Sequence, residues 1–234
     1  MDQAEPDFRI TSRLAQLPLF TDMSPTELDR VAAGCSVQHY ARGQTLFSVG
    51  EPCREFHVML SGQVKLFALS AAGQEKVIEL LSFGHSFGEA IMFIGRPYIV
   101  NAQALTNAVV LHVRKSAVLQ EIERDPRFAL RMIAGMSRRL HGLVHDVQAA
   151  ALHTGTQRVI GYLLRDQRIG DFPPDAPVTI TLPVSKGTIA SRLSITPEYF
   201  SRILRKLEDH GLIEVDQHDI RIPDMHALAA STID

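Results

Sequence analysis

The sequence predicts an α+β chain with an N-terminal antiparallel β jelly roll, one long helix and a C-terminal winged helix-turn-helix domain. Short apolar runs alternate with glycine-containing turns between residues 36 and 113, apolar residues recur at heptad spacing between 125 and 153, and two short amphipathic helices meet at a turn between 184 and 209. We therefore expect a roll domain over 1–124, a long helix over 125–153 and a helix-turn-helix domain over 154–234.

The composition excludes several classes of protein. The chain has 234 residues, 45% of them hydrophobic, and a formal net charge of −2, which suits one or two packed domains. No apolar run reaches the roughly 18 residues of a membrane span, and the acidic N-terminus lacks the apolar stretch of a signal peptide. Cys35 and Cys53 are the only cysteines, too few for an iron–sulfur cluster. We expect a cytoplasmic protein with reduced thiols and no membrane partner.

Two short helices are predicted before the roll. Leu14, Leu17 and Phe20 form an apolar stripe. Ser24 and Glu27 flank a proline in the pattern of a capping box, which predicts the start of the second helix. These segments are expected to pack and to carry no chemistry.

The roll is predicted from strand-length apolar runs such as Phe56–Leu60, Val64–Phe67 and Val77–Leu81. Turns that contain glycine, including Gly62 and Gly73, separate these runs. Regular spacing of this kind is typical of an antiparallel roll.

The long helix is predicted to begin at Asp125 and Pro126 and to carry an apolar seam. About 27 residues at 1.5 Å each give a rod of about 40 Å. A seam of this length predicts a parallel homodimer, and the alternative is that it packs on the chain's own roll. Its members alternate at spacings of four and three: Ala129, Ile133, Met136, Leu140, Leu143, Val147 and Ala150.

The segment His153–Thr156 interrupts the helix and is predicted to be an interdomain hinge. After it we expect a helix over 156–166, a proline-rich loop over 170–177, a strand over 179–182, a hairpin wing formed by 212–215 and 220–222, and a terminal helix over 224–230.

Two helices joined by a turn are predicted between Val184 and Asp209. Ser185 has the position of an N-cap for the first helix, and Thr196 followed by Pro197 has that position for the second. This is a helix-turn-helix pattern. Five basic residues and one acidic residue lie between 186 and 206, namely Lys186, Arg192, Glu198, Arg202, Arg205 and Lys206. A basic segment on an acidic chain suits contact with phosphates, although two amphipathic helices with solvated charges would show the same pattern.

Glu198, Ser201 and Arg202 share one face near the N-terminus of the second helix, because they are spaced at i, i+3 and i+4. That end of a recognition helix enters the major groove. Arginine pairs with guanine, glutamate accepts from an exocyclic amine, and serine makes an adaptable contact. We predict that these three residues read DNA bases. Lys186, Thr196 and Arg205 are predicted to contact phosphates.

At these residues the sequence resembles the CRP/FNR family of bacterial transcription regulators. The run P-E-x-F-S-R, from Pro197 to Arg202, is similar to the FNR and Dnr branches. The resemblance implies a homodimer, a TTGAT-type inverted repeat as the DNA site and RNA polymerase as a protein partner. The N-terminal cysteine cluster of oxygen-sensing FNR is absent, so the iron–sulfur role is not carried over.

The roll also resembles the cyclic-nucleotide-binding roll of this family. Phe87–Ala90 is similar to the start of its phosphate-binding cassette. The Arg-Ser pair that holds the cyclic phosphate falls on Tyr98–Ile99, or without a gap on Ile99–Val100, and the Thr-Ser pair of the long helix falls on Leu143–Val144. A buried phosphate would therefore lack a counter-charge. We expect no cAMP, and an effector region that is apolar.

The predicted effector region is bordered by Phe83, Phe87, Met92, Phe93, Tyr98, Leu143 and Val144. It either accepts a flat apolar cofactor or is simply filled by these side chains. The segment Glu89–Phe93 resembles Dnr-type nitric-oxide regulators, which implies haem b as the sensor and nitrogen-oxide respiration genes as targets. A histidine is the usual axial ligand. The candidates are His85, which we place first, then His141, His145 and His153.

Other interpretations stay open. The effector could be another small molecule, or Cys35 and Cys53 could form a thiol redox switch. The chain could also be a ligand-gated signalling module that does not recognise a DNA sequence. An enzyme is not expected, because the sequence shows no nucleophile with its base, no metal-ligand spacing and no phosphate-binding loop.

Overall fold

The computed structural model of the chain describes residues 8–21, 23–165 and 177–232. The chain divides into two compact units, residues 1–141 and 142–234. Each is built around its own apolar core, and the longest helix runs through the boundary between them. No helix in the described part of the chain is both long enough and apolar enough to cross a membrane.

The first unit begins with α1 (Phe8–Leu14), a 3-10 turn (Pro18–Phe20) and α2 (Pro25–Ala32). The capping box is confirmed, because the Ser24 hydroxyl accepts the Glu27 N–H and the Glu27 carboxylate accepts the Ser24 N–H at 2.6 Å. The Ser24 hydroxyl also donates to the Glu27 carboxylate at 2.6 Å. This bond and the bond from the Ser24 N–H hold the pKa of Glu27 below its usual value. The start of α2 is therefore fixed by local chemistry that the sequence shows directly.

The roll consists of eight strands in two four-stranded antiparallel sheets, with strand orders β1-β8-β3-β6 and β2-β7-β4-β5. The predicted jelly roll is confirmed. Inward-facing side chains such as Met59, Val64 and Val110 are fully buried. The strands are β1 (Cys35–Tyr40), β2 (Thr45–Phe47), β3 (Glu55–Ser61), β4 (Val64–Leu69), β5 (Glu75–Leu81), β6 (Ser86–Phe87), β7 (Asn101–Ala104) and β8 (Ala108–Arg114).

Three helices complete or leave the roll: α3 (Glu89–Ile94), α4 (Lys115–Arg124) and α5 (Pro126–Leu152). The Arg30 guanidinium donates two hydrogen bonds to the Glu121 carboxylate, at 2.9 and 2.6 Å, which joins α2 to α4. The Asp125 carboxylate accepts the Arg127 N–H at 3.0 Å at the start of α5. Phe128 is buried, and its ring stacks on Phe20. The first turns of α5 are therefore part of the core of the first unit.

The second unit is a winged helix-turn-helix domain. It contains α6 (Gly155–Leu164), β9 (Val178–Thr181), α7 (Lys186–Arg192), α8 (Pro197–Asp209), β10 (Glu214–Asp216), β11 (Asp219–Ile222) and α9 (Met225–Ala230). The strands form one antiparallel sheet in the order β10-β11-β9. The predicted strand, wing and terminal helix are confirmed, and the end of α5 at Leu152 agrees with the predicted interruption. The predicted loop over 170–177 lies outside the described residues except for Pro177.

In the described part of the chain, some glycines lie where a Cβ would meet a close neighbour, and Gly155 and Gly62 are two examples. Gly155 lies under the Tyr199 ring, and a Cβ at that position would be 2.5 Å from a ring carbon. Gly62 has φ of +74°, and its Cβ would be 2.3 Å from the Asn107 carbonyl oxygen. Gly73 has a similar φ of +78° but faces open space. Alanine substitutions at Gly62 and Gly73 therefore distinguish two contributions to the free energy of unfolding. Both positions have a left-handed backbone, but only Gly62 also has a close neighbour.

Replacing Gly62 by alanine should destabilise the roll more than the same change at Gly73. We expect G73A to cost about 1 kcal/mol, from the left-handed backbone alone. G62A should cost about 2–4 kcal/mol, because the 62–63 turn must also move away from residue 107. Urea unfolding followed by circular dichroism measures both. Equal losses would show that the close contact relaxes freely.

Candidate functional site

The two central helices of the second unit are fixed by the caps that the sequence predicts. The Ser185 hydroxyl accepts the Thr188 N–H at 3.2 Å, and the Thr196 hydroxyl accepts the Tyr199 N–H at 3.2 Å. Between the helices Ser194 adopts φ of +57°, which turns the chain sharply. One face of α8 is buried through Phe200, Ile203, Leu204 and Leu207. Its opposite face is consequently held towards solvent.

The three predicted base-reading residues lie on that outer face. Glu198, Ser201 and Arg202 are all exposed and occupy the first two turns of α8. The Ser201 hydroxyl donates to the Pro197 carbonyl at 3.0 Å, so its oxygen remains available as an acceptor. The Arg202 guanidinium lies 4.9 Å from the centre of the Tyr199 ring. This cation–π contact orients the arginine, and the i, i+3 spacing of the two residues is the sequence signal for it.

The predicted phosphate contacts lie at helix starts or on the same outer face. Lys186 is the first residue of α7, and Thr196 is the N-cap of α8. Helix N-termini present unpaired backbone N–H groups and a partial positive charge to an anion. Arg205 is exposed on α8, one turn beyond Arg202. The structure thus places the three predicted phosphate residues and the three base-reading residues on α7 and α8.

Arg192 differs from the other basic residues of this segment. Its guanidinium forms a short ion pair with Asp146, near the end of α5, and its side chain is mostly buried. The sequence grouped Arg192 with the basic residues that suit phosphate contact, and this part of the interpretation is corrected. A buried, paired guanidinium serves the packing of the second unit. Arg158 has a comparable role, since it donates to the Leu193 carbonyl at 2.7 Å and so holds the turn between α7 and α8.

The seam of α5 is accessible over most of its length. Ile133, Leu140 and Val147 are 53%, 63% and 69% exposed, and Met136 and Leu143 are half-buried. These exposures disagree with the alternative that the seam packs on the chain's own roll. Large apolar side chains that recur along one helix face and remain in water indicate an interaction surface.

The residues of the predicted effector region have different environments. Phe87, Met92 and Tyr98 are buried in the packed core of the first unit, and Phe93 is half-buried. Phe83 is 56% exposed. Leu143 and Val144 belong to the second unit, where Leu143 is half-buried and Val144 is exposed. Within the first unit, Phe83 is therefore the aromatic member that is open to a ligand.

The resemblance places the phosphate-binding arginine of the cyclic-nucleotide-binding roll on Ile99 or, with one residue deleted, on Tyr98, which has an aromatic ring. The ring stacks on Phe47 with a centroid separation of 3.7 Å, and its hydroxyl oxygen lies 2.8 Å from His57 Nε2. Burial raises the pKa of this phenol well above its ordinary value. Ile99 beside it is exposed. The position thus presents a neutral side chain with a polar end, where the sequence predicted a purely apolar one.

An arginine on α5, Arg139, lies between two carboxylates of the roll, Glu79 and Glu89. The Arg139 guanidinium lies 2.5 Å from the Glu79 carboxylate and 3.6 Å from the Glu89 carboxylate. It also donates to the Ser86 carbonyl at 3.2 Å. Burial raises the pKa of Glu89, while a hydrogen bond from Ser86 and the charge of Arg139 oppose that shift. Sequence analysis missed this network, because nothing local links Arg139 to a strand so far away in the chain.

His85 has an accessible ring close to Phe83. It is exposed, and its Nδ1 lies 3.0 Å from the Ser82 carbonyl oxygen. With Nδ1 oriented by Ser82, Nε2 is the nitrogen left to a ligand. His153 lies exposed just after the last residue of α5.

The two cysteines are free thiols in partly buried positions. Burial raises the pKa of Cys35 to about 12, and it also raises the pKa of Cys53. The thiolate is the reactive form of cysteine, so neither environment activates its thiol.

Comparison with known proteins gives matches for both units. A family described as the cyclic nucleotide-binding domain matches residues 37–125, and the Crp-like helix-turn-helix domain matches residues 157–231. The structure of DNR from Pseudomonas aeruginosa is 32% identical to this chain, covers 97% of it and 98% of its own length, and has a TM-score of 0.50. This chain belongs to the CRP/FNR family of transcription regulators.

Other members of the CRP/FNR family agree with this assignment. The Cyclic AMP receptor protein of Thermus thermophilus is 24% identical over 205 residues, which is 88% of this chain and 92% of that protein. The structure of FixK2 from Bradyrhizobium japonicum shares the fold, with 21% identity, coverage of 85% and 99%, and a TM-score of 0.72. The chain is thus a DNA-binding transcription regulator, and the matched helix-turn-helix domain contains α7 and α8.

Proposed function

We propose that this regulator acts in the cytoplasm as a homodimer that reads an FNR-like TTGAT inverted repeat and engages RNA polymerase. The observation that carries the proposal is the outer face of α8, where Glu198, Ser201 and Arg202 are exposed while the opposite face is buried. These three residue types match the donors and acceptors of a G·C-containing half-site. The resemblance of Pro197–Arg202 to the FNR and Dnr branches supports the TTGAT sequence.

The homodimer follows from the seam of α5. A helix of about 40 Å with exposed Ile133, Leu140 and Val147 can bury these side chains against a second copy of itself. Two-fold symmetry also suits an inverted repeat, whose half-sites lie one DNA turn apart, about 34 Å. Each recognition helix would then read one half-site.

For the effector, the proposal is haem b at the exposed part of the predicted effector region, which would make the protein a sensor of nitric oxide for nitrogen-oxide respiration genes. Phe83 and His85 fit this role, since an exposed aromatic ring and an accessible imidazole lie two residues apart. Phe87, Met92 and Tyr98 do not provide a ready cavity, because they are packed in the core. Bound haem would supply an iron that takes nitric oxide, and His85 Nε2 would hold that iron.

A cyclic nucleotide is not the proposed effector, although relatives are described as cyclic AMP receptors. Arg139 already supplies the positive charge that Glu79 and Glu89 face, and Tyr98 has no charge to offer a phosphate. A thiol switch is disfavoured by the raised pKa of both cysteines. Another small molecule at Phe83 and His85 is the second candidate, because the same exposed groups would serve it.

The base-reading role of Arg202 is tested by comparing R202A with R205A. Truncating Arg202 should weaken binding to the TTGAT repeat by about 1–3 kcal/mol, or roughly 5- to 150-fold in Kd, and should leave binding to unrelated DNA nearly unchanged. Truncating Arg205 should weaken both to a similar extent, since phosphates are present in every sequence. Fluorescence anisotropy at fixed salt measures all four affinities.

Two results would contradict the proposed base readout. If R202A loses affinity equally for specific and unrelated DNA, then Arg202 contacts phosphate and the proposed readout is wrong. If the wild-type chain shows no preference for any inverted repeat, the chain works as a signalling module and not as a sequence-specific regulator.

The seam is tested by placing a charge at Leu140. L140E should convert a dimer into a monomer at micromolar concentration, because two carboxylates would face each other across an apolar seam. L119E is the matched control, since Leu119 is also an exposed leucine on a helix but lies on α4, outside the seam. Sedimentation velocity distinguishes the two. A wild-type chain that is monomeric under all conditions would end the homodimer proposal.

The haem proposal is tested by an absorption spectrum of the reconstituted protein. We expect a Soret band that shifts when nitric oxide is added, and a changed spectrum in H85A, because the axial nitrogen is lost. H39A serves as the control, as His39 is exposed on β1 and is not among the candidate ligands. The absence of a nitric-oxide shift in the wild type would remove haem and leave the DNA-binding function unaffected.

A further inference from the structure

Two histidines and a glutamate converge inside the roll, on neighbouring strands of one sheet. His57 on β3 is the direct cross-strand partner of His112 on β8. Glu55 lies two residues before His57, so the alternation of a strand places both side chains on the same face. A ring nitrogen of each histidine and a carboxylate oxygen of Glu55 all lie within 4.8 Å of one another. This set shares no residue with α8, with the proposed haem ligand His85 or with the network of Arg139.

The burial of the two imidazoles requires an explanation. His57 and His112 are almost fully buried. Among the described residues His57 Nδ1 has no hydrogen-bond partner. An unpaired buried polar atom costs stability, and in native structures such an atom points to an unseen ion, water or functional role. A buried apolar side chain would have filled this position at lower cost.

The remaining ring nitrogens are held by tyrosine hydroxyls. His57 Nε2 lies 2.8 Å from the Tyr98 hydroxyl, and His112 Nε2 lies 3.0 Å from the Tyr40 hydroxyl. On the other side of its ring, His112 Nδ1 lies 2.7 Å from the Glu55 carboxylate. In both imidazoles Nε2 is therefore held by a tyrosine hydroxyl. Nδ1 contacts Glu55 in His112 and, among the described residues, has no partner in His57. Metal-binding histidines show this pattern, because the second nitrogen is usually fixed by a neighbouring group.

We propose that Glu55, His57 and His112 bind a divalent first-row transition-metal ion, with Zn²⁺ or Fe²⁺ as its chemical class. Two imidazoles and one carboxylate form a ligand set that both ions accept. The ligand atoms of a tetrahedral ion lie about 3.3 Å apart for bonds of about 2.0 Å. Binding therefore requires small side-chain movements. The Glu55 oxygen and His112 Nδ1, now 2.7 Å apart, must separate slightly, and ligand atoms that lie up to 4.8 Å apart must approach one another.

The electrostatics of the cluster suit a cation. Burial, together with the nearby His112, holds the pKa of His57 well below its ordinary value. His57 is thus neutral, which is the form that ligates a metal. Glu55 contributes a negative charge, and its side chain is about one-third exposed, which provides an access path from solvent. Three protein ligands leave one coordination position open, for water or for a small exogenous ligand.

A metal at this position would act on the roll and not on the DNA-binding face. It would tie β3 to β8 in one sheet. Through Tyr98, whose ring stacks on Phe47 of β2, it would also influence the second sheet. The site is independent of the proposed haem and of the proposed DNA sequence, and its failure would leave both untouched.

The test is a titration of the full-length chain, stripped of metal with a chelator, with Co²⁺ as a visible-absorption probe. We expect one Co²⁺ per chain, with the intense d–d bands of a low-coordinate site, displaced by Zn²⁺ or by Fe²⁺ under anaerobic conditions and not by Mg²⁺, which prefers oxygen ligands. The relative potency of Zn²⁺ and Fe²⁺ distinguishes the two ions. E55Q and H112N should each weaken Co²⁺ binding at least tenfold, and H57N should abolish the bands.

Two controls guard against other histidines and against misfolding. H39N changes an exposed histidine of β1 and should keep the bands at wild-type affinity. H57N and H112N alter buried groups and can perturb folding, so E55Q, a change of equal size at a partly exposed position, decides the result if circular dichroism shows they are unfolded. Bands that survive in E55Q with wild-type affinity, or a wild-type chain that gives no bands, would overturn the proposal.

Discussion

The apolar seam of α5 is the constraint on which the rest of the molecule depends. The helix starts in the core of the first unit, where Phe128 and Met132 are buried, and then continues with Ile133, Leu140 and Val147 in water. A heptad pattern that runs from Ala129 to Ala150 is costly to leave uncovered, since each exposed leucine or isoleucine forgoes about 1.5–3 kcal/mol of burial. A second copy of the helix offers the same pattern in register. In the proposed homodimer, the symmetry of that pairing would present two copies of α8 to the DNA.

The recognition face depends on local chemistry in the second unit. Two hydroxyl caps, at Ser185 and Thr196, start α7 and α8, and Ser194 makes the turn between them with a left-handed backbone. The buried face of α8 fixes its rotation, and Tyr199 then orients Arg202. The ion pair of Arg192 with Asp146 joins α7 to α5. Because this guanidinium is paired, it does not add to the positive charge available to DNA. Removing one of these interactions would be expected to change the direction of the residues that are proposed to read bases.

Helix caps and apolar repeats, which involve residues close together in the sequence, could be predicted. Contacts between residues far apart in the sequence could not. The capping box at Ser24, the caps of α7 and α8 and the seam of α5 each involve residues within one or two helical turns. The ion pair of Arg192 with Asp146 joins residues 46 apart, and the hydrogen bond from Arg139 to Ser86 joins residues 53 apart. Neither has a local signal. The pairing of His57 with His112 needed the exact register of β3 on β8, because a slip by one residue would move one of them to the other face.

The interior of the roll is less apolar than the sequence predicted for the effector region, because two polar groups enter it. Tyr98 carries no charge, but its phenol brings a hydroxyl that contacts His57. Arg139 places a guanidinium between Glu79 and Glu89. A ligand that approached Glu89 would have to displace this arginine, and each buried carboxylate that lost its partner would carry an uncompensated charge. Access to the cassette is therefore coupled to α5 through Arg139, the same helix that carries the seam. An effector that binds at the exposed Phe83 and His85 avoids this cost, since neither residue takes part in the arginine network.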